Sequence, residues 1–297
     1  MNIDKTKLTL ILSMPFLIAA CGDNNDKADG YGNFEATEIT VSSESAGKLM
    51  AFDLDEGDHL SAGQVVGYID TTQLALQKAQ VEASRRKISA TSSSVLSQIN
   101  VYQQQEHTLN VDKERIVSLL KDSAATQKQL DDVNGQLSVL QRQIASVRAQ
   151  NASVLSEYEN LDAQLDLLKD QIRKSVITSP ADGTVLIKYA EPGEVSSFGK
   201  PLFKIGKLDD MILRVYVSET QLPSLSVGEK VEVRIDVPGG MRTFPGTISW
   251  ISSAAEFTPK VIQTKEERVN LVYAVKVIVK NDGALKIGMP GEIWTGK

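Results

Sequence analysis

The chain has 297 residues, a formal net charge of −6 and only 5% aromatic residues. No basic patch stands out, which argues against nucleic-acid binding, and a single cysteine, Cys21, excludes an internal disulfide framework. The length suits two or three modules. The two histidines, His59 and His107, are isolated, and a lone histidine is usually a surface or turn residue, so we expect no metal site.

Residues 1–20 predict a signal peptide. Two lysines precede a mostly apolar stretch, residues 8–20, which is too short to span a bilayer comfortably. The stretch ends in Ile18-Ala19-Ala20-Cys21, which resembles the bacterial lipoprotein signal. That resemblance implies a diacylglycerol on the sulfur of Cys21 and cleavage just before it; the alternative is an ordinary signal peptide with an incidental cysteine. Residues 21–32 are polar and predict a flexible tether.

A short glycine-containing motif occurs twice, with a long insertion between the copies. The first copy comprises Gly47-Lys48-Leu49, Glu56-Gly57-Asp58, Gly63 and Ile69, and the second comprises Gly183-Thr184-Val185, Pro192-Gly193-Glu194, Gly199 and Ile205. The glycines recur at the same intervals in both copies, which indicates two copies of one small β-unit. Each copy is too short to bury a core alone. We therefore predict two halves of one domain, residues 44–71 and 175–207.

The insertion, residues 72–174, predicts a helical hairpin. It has no proline and Gly135 is its only glycine, so both helix breakers are nearly absent. Its second half carries a heptad stripe, broken only at Asn151, where a polar residue can fix the register. The stripe consists of Leu130, Val133, Leu137, Leu140, Ile144, Val147, Val154, Tyr158, Leu161, Leu165, Leu168 and Ile172.

The first half of the insertion has a thinner apolar stripe that recurs every seven residues. It consists of Leu74, Val81, Ile88, Val95, Tyr102, Leu109 and Ile116. The chain must return to its second β-half, so we predict two antiparallel helices, about residues 72–121 and 127–174. At 1.5 Å per residue each would be on the order of 70 Å long.

Residues 208–297 predict a β-rich domain. Alternating apolar and polar residues occur around positions 212–217, 231–235 and 273–279, with glycine-containing turns between them. Half a dozen strands with this punctuation suggest a small barrel. We expect residues 33–43 to form a strand that joins it.

The order of these segments resembles the periplasmic adaptor proteins of the HlyD family, also called membrane fusion proteins. The resemblance rests on the two motif copies, on the stretch from Phe34-Glu35-Ala36 to Val41 and on Ser179-Pro180-Ala181-Asp182, and it covers the chain from about residue 33. It implies an elongated multi-domain α+β fold. In that fold a split lipoyl-like β-domain is interrupted by an antiparallel coiled-coil hairpin and followed by a β-barrel. The turn that carries the modified lysine in true lipoyl carriers is replaced by the hairpin, so a carrier role is not expected.

The hairpin tip resembles the tip at which adaptors of this family meet a TolC-like outer-membrane duct. Arg115-Ile116, Leu119 and Thr126 match the family's arginine–leucine, leucine, serine spacing, with isoleucine in the second position and threonine in the last. The arginine would donate hydrogen bonds and the aliphatic side chains would form a docking knob. The alternative is that Ile116 and Leu119 are ordinary interhelical contacts and Arg115 a solvated charge.

The resemblance implies an adaptor subunit of a tripartite export or efflux system. Such a subunit is lipid-anchored in the periplasm of a Gram-negative bacterium, with the inner membrane expected, and forms a hexameric ring between an inner-membrane exporter and the duct. The chain ends at Lys297, soon after the barrel, which leads us to expect an ABC-type exporter over a proton-driven pump. We expect no enzymatic activity, catalytic residues, cofactor or metal. An alternative of another class is a stand-alone lipoprotein that binds substrates or envelope polymers through the barrel.

Overall fold

The computed structural model describes residues 28–257 and 271–295. The predicted signal peptide, Cys21 and most of the predicted tether lie outside the described residues. The strands and helices, in chain order, are β1 (Gly30–Ser42), β2 (Gly47–Phe52), β3 (His59–Leu60), β4 (Val65–Ile69), α1 (Thr72–Lys121), α2 (Gln127–Lys174), β5 (Val176–Thr178), β6 (Gly183–Lys188), β7 (Val195–Ser196), β8 (Pro201–Ser218), β9 (Lys230–Val237), β10 (Gly240–Ile251), β11 (Glu256–Phe257), β12 (Leu271–Lys280) and β13 (Pro290–Trp294).

The chain divides into two compact units, described separately below. The split unit spans Ala36–Leu208 and contains both motif copies and the two helices. The barrel unit combines the described residues up to Glu35 with those from Asp209 onward. β1 and β8 each contribute residues to both units.

The two motif copies of the split unit share one hydrophobic core, as the sequence predicts. Six buried side chains come from the first half and six from the second. They are Leu49, Phe52, Leu54, Leu60, Val66 and Ile69 from the first, and Ile177, Val185, Ala190, Leu202, Phe203 and Ile205 from the second. Neither half could form this core alone, so the return of the chain from the helices completes the unit.

Equivalent backbone hydrogen bonds join the two halves in both directions. The amide of Gly57 donates to the carbonyl of Val185 at 2.9 Å, and the amide of Gly193 donates to that of Leu49 at 2.7 Å. The turn glycines also match, because Gly57 and Gly193 have φ values of 98° and 95°. These angles lie in the left-handed region, which glycine adopts without a steric cost. The sequence repeat is therefore a structural repeat with an internal approximate two-fold relation.

The predicted helical hairpin is present. α1 begins at Thr72, and the carboxylate of Asp70, two residues earlier, accepts hydrogen bonds from the Thr72 amide at 2.8 Å and hydroxyl at 2.6 Å. Those hydrogen bonds hold the pKa of Asp70 below its ordinary value. All predicted stripe residues of both helices are buried or half-buried, including Val95 and Leu165. The stripes therefore pack α1 against α2 along their length.

The barrel unit is a closed ring of strands. The order is β8-β12-β10-β9-β13-β1, and β1 returns to β8. Alternate residues of β8 fill the interior, with Met211, Leu213 and Val215 buried and Ile212 and Arg214 facing outward. This alternation is the pattern from which the barrel was predicted.

β1 differs from the sequence expectation, which assigned residues 33–43 to the barrel. The strand begins at Gly30, and its barrel pairing with β13 covers Gly30–Asn33. Residues from Ala36 onward belong to the split unit, where Ile39 and Val41 pack against the shared core. The strand divides in this way because Phe34 is buried within the barrel unit while the later β-branched residues have apolar neighbours in the other core.

Candidate functional site

The hairpin tip is a tight turn between α1 and α2. Ser123 adopts a left-handed backbone with φ of 57°, and the amide of Ala124 donates to the carbonyl of Leu119 at 2.8 Å. A non-glycine residue in this region is uncommon. The turn therefore holds the last residues of α1 and the first of α2 in a defined arrangement.

Arg115 and Leu119 lie together on the outer surface near the tip. Their side chains are one helical turn apart, and the Arg115 side chain is 67% exposed while Leu119 is 41% exposed. Arg115 forms an ion pair with Asp112 at 3.1 Å. An exposed pair of this kind contributes little to stability, so the guanidinium can exchange this partner for another carboxylate or carbonyl.

Ile116 and Thr126 have structural roles in the hairpin itself. Ile116 is half-buried and continues the stripe that faces α2. Thr126 is the N-cap of α2, where its side chain accepts a hydrogen bond from the Gln129 amide. The Gln129 side chain accepts one from the Thr126 amide at 2.8 Å, which completes a capping box. The Thr-x-x-Gln spacing at positions 126–129 was available in the sequence and identifies this cap.

Replacing Thr126 by alanine should destabilise the hairpin by about 1 kcal/mol, because α2 loses its capping oxygen. Thr126→Asn keeps a capping acceptor and should unfold like the parent. Circular dichroism during chemical denaturation measures both. A Thr126→Ala variant as stable as the parent would show that the capping box contributes nothing.

Polar contacts interrupt the apolar interface between the two helices. The Ser92 hydroxyl donates to the Asn151 side-chain oxygen at 3.0 Å, and Arg85 pairs with Asp162 at 2.7 Å. Arg85 also lies over the ring of Tyr158, 4.8 Å from its centroid. Asn151, which was predicted to fix the register of the helices, therefore has a hydrogen-bond partner on the other helix. The contribution of Arg85 was missed, because its ion pair joins residues far apart in sequence.

A shallow groove opens on one side of the hairpin beside Gly135. It has a volume of about 640 Å³ and is lined by Gln105, Thr108, Leu109, Gly135, Gln136, Val139, Leu140 and Gln143. A β-carbon added at Gly135 would meet no neighbouring atom within 4 Å. The missing side chain therefore exposes the edge of the α1–α2 interface.

The split unit carries two strongly exposed apolar side chains within its second motif copy. Phe198 is 80% exposed and Val195 is 74% exposed. Isolated exposed apolar residues are normal, but these two lie three residues apart, Val195 in β7 and Phe198 in the turn that follows it. This apolar surface was not predicted from the sequence. The alternation of apolar and polar residues does not show whether a turn is buried or exposed.

Residues 28–257 and 271–295 contain neither a candidate metal-binding cluster nor a helix suited to cross a membrane. No cluster of three or more histidine, cysteine or acidic side chains in this part of the chain could hold a metal ion. Neither described helix combines the length and apolar character needed to cross a bilayer.

No protein-family profile matches the chain. A UPF0194 membrane protein of Yersinia pseudotuberculosis is 26% identical over 289 residues, which covers 88% of this chain and 87% of the relative. A UPF0194 membrane protein of Citrobacter koseri is 27% identical over 300 residues, covering 88% and 86%.

Two solved structures share the fold. MacA from Actinobacillus actinomycetemcomitans superimposes with a TM-score of 0.58 at 18% identity, covering 89% of this chain and 76% of that one. A putative efflux transporter from Bacteroides eggerthii gives a TM-score of 0.52 at 15% identity, with coverage of 89% and 67%. At the level of the fold, the resemblance to membrane fusion and periplasmic adaptor proteins that was made from the sequence is confirmed.

Proposed function

We propose that this chain is the periplasmic adaptor of a tripartite export or efflux system. Its hairpin tip would bind a TolC-like outer-membrane duct, copies of the chain would assemble with one another, and the lipid on Cys21 would anchor it to the inner membrane beside an exporter. The exporter is proposed to be of the ABC type, as expected from the sequence. The protein would act through assembly alone, without chemistry of its own.

The observation that carries the proposal is the pair of exposed side chains at the tip. The split unit requires the helices to leave it and return, so their far end is free to meet a partner. There, Arg115 offers several hydrogen-bond donors and Leu119 an apolar contact, side by side. Ile116 and Thr126 would support this surface indirectly, by packing α1 against α2 and by capping α2.

The fold of the split unit supports the same proposal. In this chain reciprocal hydrogen bonds join the two half-motifs, and in the family that the chain resembles two such halves form a lipoyl-like domain. In this chain the connection between the halves is a helical hairpin, so the unit would serve as a scaffold for it. The fold that the chain shares with MacA supports the adaptor hypothesis at the level of architecture.

A crosslinking pull-down from intact cells tests the tip. We expect the parent chain to recover an inner-membrane exporter and an outer-membrane channel, and Arg115→Asp or Leu119→Asp to recover the exporter without the channel. Arg148→Asp and Leu155→Asp are matched controls, because both residues are exposed on α2 away from the tip. Mass spectrometry of the recovered exporter distinguishes an ABC-type from a proton-driven partner.

The outcomes separate the alternatives. Equal recovery of the channel by the tip and control variants would show that the tip does not bind it. Recovery of neither membrane partner by the parent, together with a monomeric protein, would instead favour a stand-alone lipoprotein that acts through its barrel.

A further inference from the structure

The barrel unit has one end at which the described chain begins, here called the chain-start rim. Because neighbouring strands of the ring are antiparallel, β1, β9 and β12 begin at this rim and β8, β10 and β13 finish there. Ala28 is buried at the rim, and the amide of Asp29 donates to the carbonyl of Ile293 at 2.9 Å. The start of the described chain is therefore fixed to the barrel.

The proposed lipid anchor is separated from this rim by a short length of chain. Ala28 follows Cys21 by seven residues. A residue spans at most about 3.6 Å, so this segment reaches at most about 25 Å. A lipid on Cys21 would therefore hold the chain-start rim close to the bilayer surface, whatever conformation the intervening residues adopt.

The chain-start rim carries exposed apolar side chains on several sides. They come from β1, from the connection between β8 and β9, from the end of β10 and from the start of β12, and they are Tyr31, Val227, Trp250 and Leu271. Each is between 42% and 64% exposed. Tyr31 and Trp250 are the exposed aromatic side chains in the part of the barrel unit that the structure describes. Tyrosine and tryptophan are the residues enriched at membrane–water interfaces, where their rings lie at the level of the lipid headgroups.

Trp250 has an apolar neighbour on one side and a cation on the other. The amide of Gly228 donates to the carbonyl of Ile248 at 2.8 Å, which places Val227 beside the end of β10. The ammonium of Lys276 lies 5.5 Å from the centroid of the Trp250 ring. A lysine can keep its ammonium in the polar headgroup layer while its methylenes cover apolar surface. This corner of the rim therefore suits the boundary between water and lipid.

Two acidic side chains near the rim are bound within the barrel unit. The Asp29 carboxylate accepts hydrogen bonds from the Thr295 amide and hydroxyl, both at 2.7 Å. Glu256 forms an ion pair with Arg214 at 3.0 Å. Glu219, in the connection between β8 and β9, is exposed and would remain in the hydrated headgroup layer. The compensation of Asp29 and Glu256 lowers the cost of bringing this rim to a phospholipid surface.

We propose that the chain-start rim of the barrel unit rests on the phospholipid bilayer in which the lipid on Cys21 is embedded, with Tyr31, Trp250 and Leu271 in the headgroup layer. The short connection to Cys21 gives the rim a high effective concentration at the surface, so a weak contact is sufficient. The apolar side chains are stabilised there because they leave water. The contact would be a second membrane attachment, and it would fix the orientation of the barrel unit on the bilayer. The inference rests on the lipid anchor of the proposed function and goes beyond it.

Tryptophan fluorescence tests this contact in the lipidated, full-length chain, reconstituted into phospholipid vesicles without exporter or channel. Trp294→Phe leaves Trp250 as the single tryptophan. We expect its emission to shift to shorter wavelength on reconstitution, and to be quenched by lipids that carry bromine near the glycerol end of their acyl chains. The matched control combines Trp250→Phe, Trp294→Phe and Met241→Trp. Met241 is 49% exposed near the start of β10, at the opposite end of the barrel, and a tryptophan there should be neither shifted nor quenched.

Vesicle binding by the Cys21→Ser chain provides a second readout, because it measures the rim without the anchor. At high lipid concentration, Trp250→Gln and Leu271→Gln should each lower the partition coefficient by about tenfold, since each removes a half-exposed apolar side chain from the contact. Met241→Gln and Ile287→Gln are matched controls of similar exposure at the opposite end and should leave it unchanged. Denaturation midpoints check that all four variants keep the fold.

The outcomes separate this inference from the adaptor proposal. An unshifted and unquenched Trp250 in vesicles that retain the lipidated chain would refute the contact and leave the adaptor function standing. Equal quenching of Trp250 and of the Met241→Trp reporter would also refute it, because the barrel unit would then have no fixed orientation on the bilayer. Quenching of Trp250 alone, with a parent chain that recovers neither exporter nor channel from cells, would support the contact and refute the adaptor function. A parent chain without a lipid would overturn both the anchor and this inference.

Discussion

Replacing Cys21 by serine is expected to move the protein from the membrane fraction to the soluble periplasmic fraction. Burial of acyl chains contributes about 0.8 kcal/mol per methylene, and two chains are needed for stable anchoring. A diacylglycerol on the Cys21 sulfur would supply both chains, and serine has no thiol to accept it. No other cysteine in the chain can take its place.

Cell fractionation after an alkaline wash, with metabolic labelling by radioactive palmitate, measures this effect. The parent should be labelled and retained with membranes, whereas Cys21→Ser should be unlabelled and washed off. Arg115→Asp is a useful control, because it alters the proposed duct contact and should leave labelling unchanged. An unlabelled, soluble parent would favour the ordinary signal peptide with an incidental cysteine.

Anchoring matters to the mechanism because an adaptor must be held at one membrane while it reaches the other. A chain released from the inner membrane would diffuse through the periplasm, and its contact with an exporter would depend on its bulk concentration. Tethering instead gives a high effective concentration at the membrane surface. Loss of export in Cys21→Ser with an intact fold would therefore support the proposed function as well as the anchor.

Much of the fold could be predicted because its signals are local or repeated. The heptad stripe that contains Leu137 and Leu165 specifies a buried helix face, and absent prolines let that helix continue. Gly57 and Gly193 occupy the same position in the two motif copies. They therefore identify equivalent turns, since both glycines have a left-handed backbone. The conformation at such positions depends on the residue type and its local spacing, so a single sequence is sufficient to predict it.

The features that were missed depend on residues distant in sequence. Nothing near Arg85 indicates that Asp162 neutralises it, and nothing near Ser92 indicates its hydrogen bond to Asn151. Among the predicted tip residues, Leu119 is exposed and Ile116 is half-buried. This difference depends on where α2 lies, so residues close in sequence do not reveal it.

Replacing Gly32 by alanine is expected to destabilise the barrel unit by about 3 kcal/mol or more, at or above the upper end of ordinary overpacking. A β-carbon at this position would overlap the carbonyl oxygen of Arg214 and lie 2.7 Å from the Val215 α-carbon. Both obstacles are backbone atoms, so no side-chain rotation relieves the clash. The methyl group fits only if β1 separates from β8, which would open the closed ring of strands.

The two tryptophans of the chain, Trp250 and Trp294, both lie in strands of the barrel unit, so fluorescence during chemical denaturation reports its unfolding. Gly135→Ala is the matched control. Its β-carbon meets no neighbour, and the change should stabilise α2 by about 1 kcal/mol while leaving the fluorescence transition in place. A Gly32→Ala variant with the parent's midpoint would mean that β1 and β8 do not approach so closely, and the barrel would then be open along that edge.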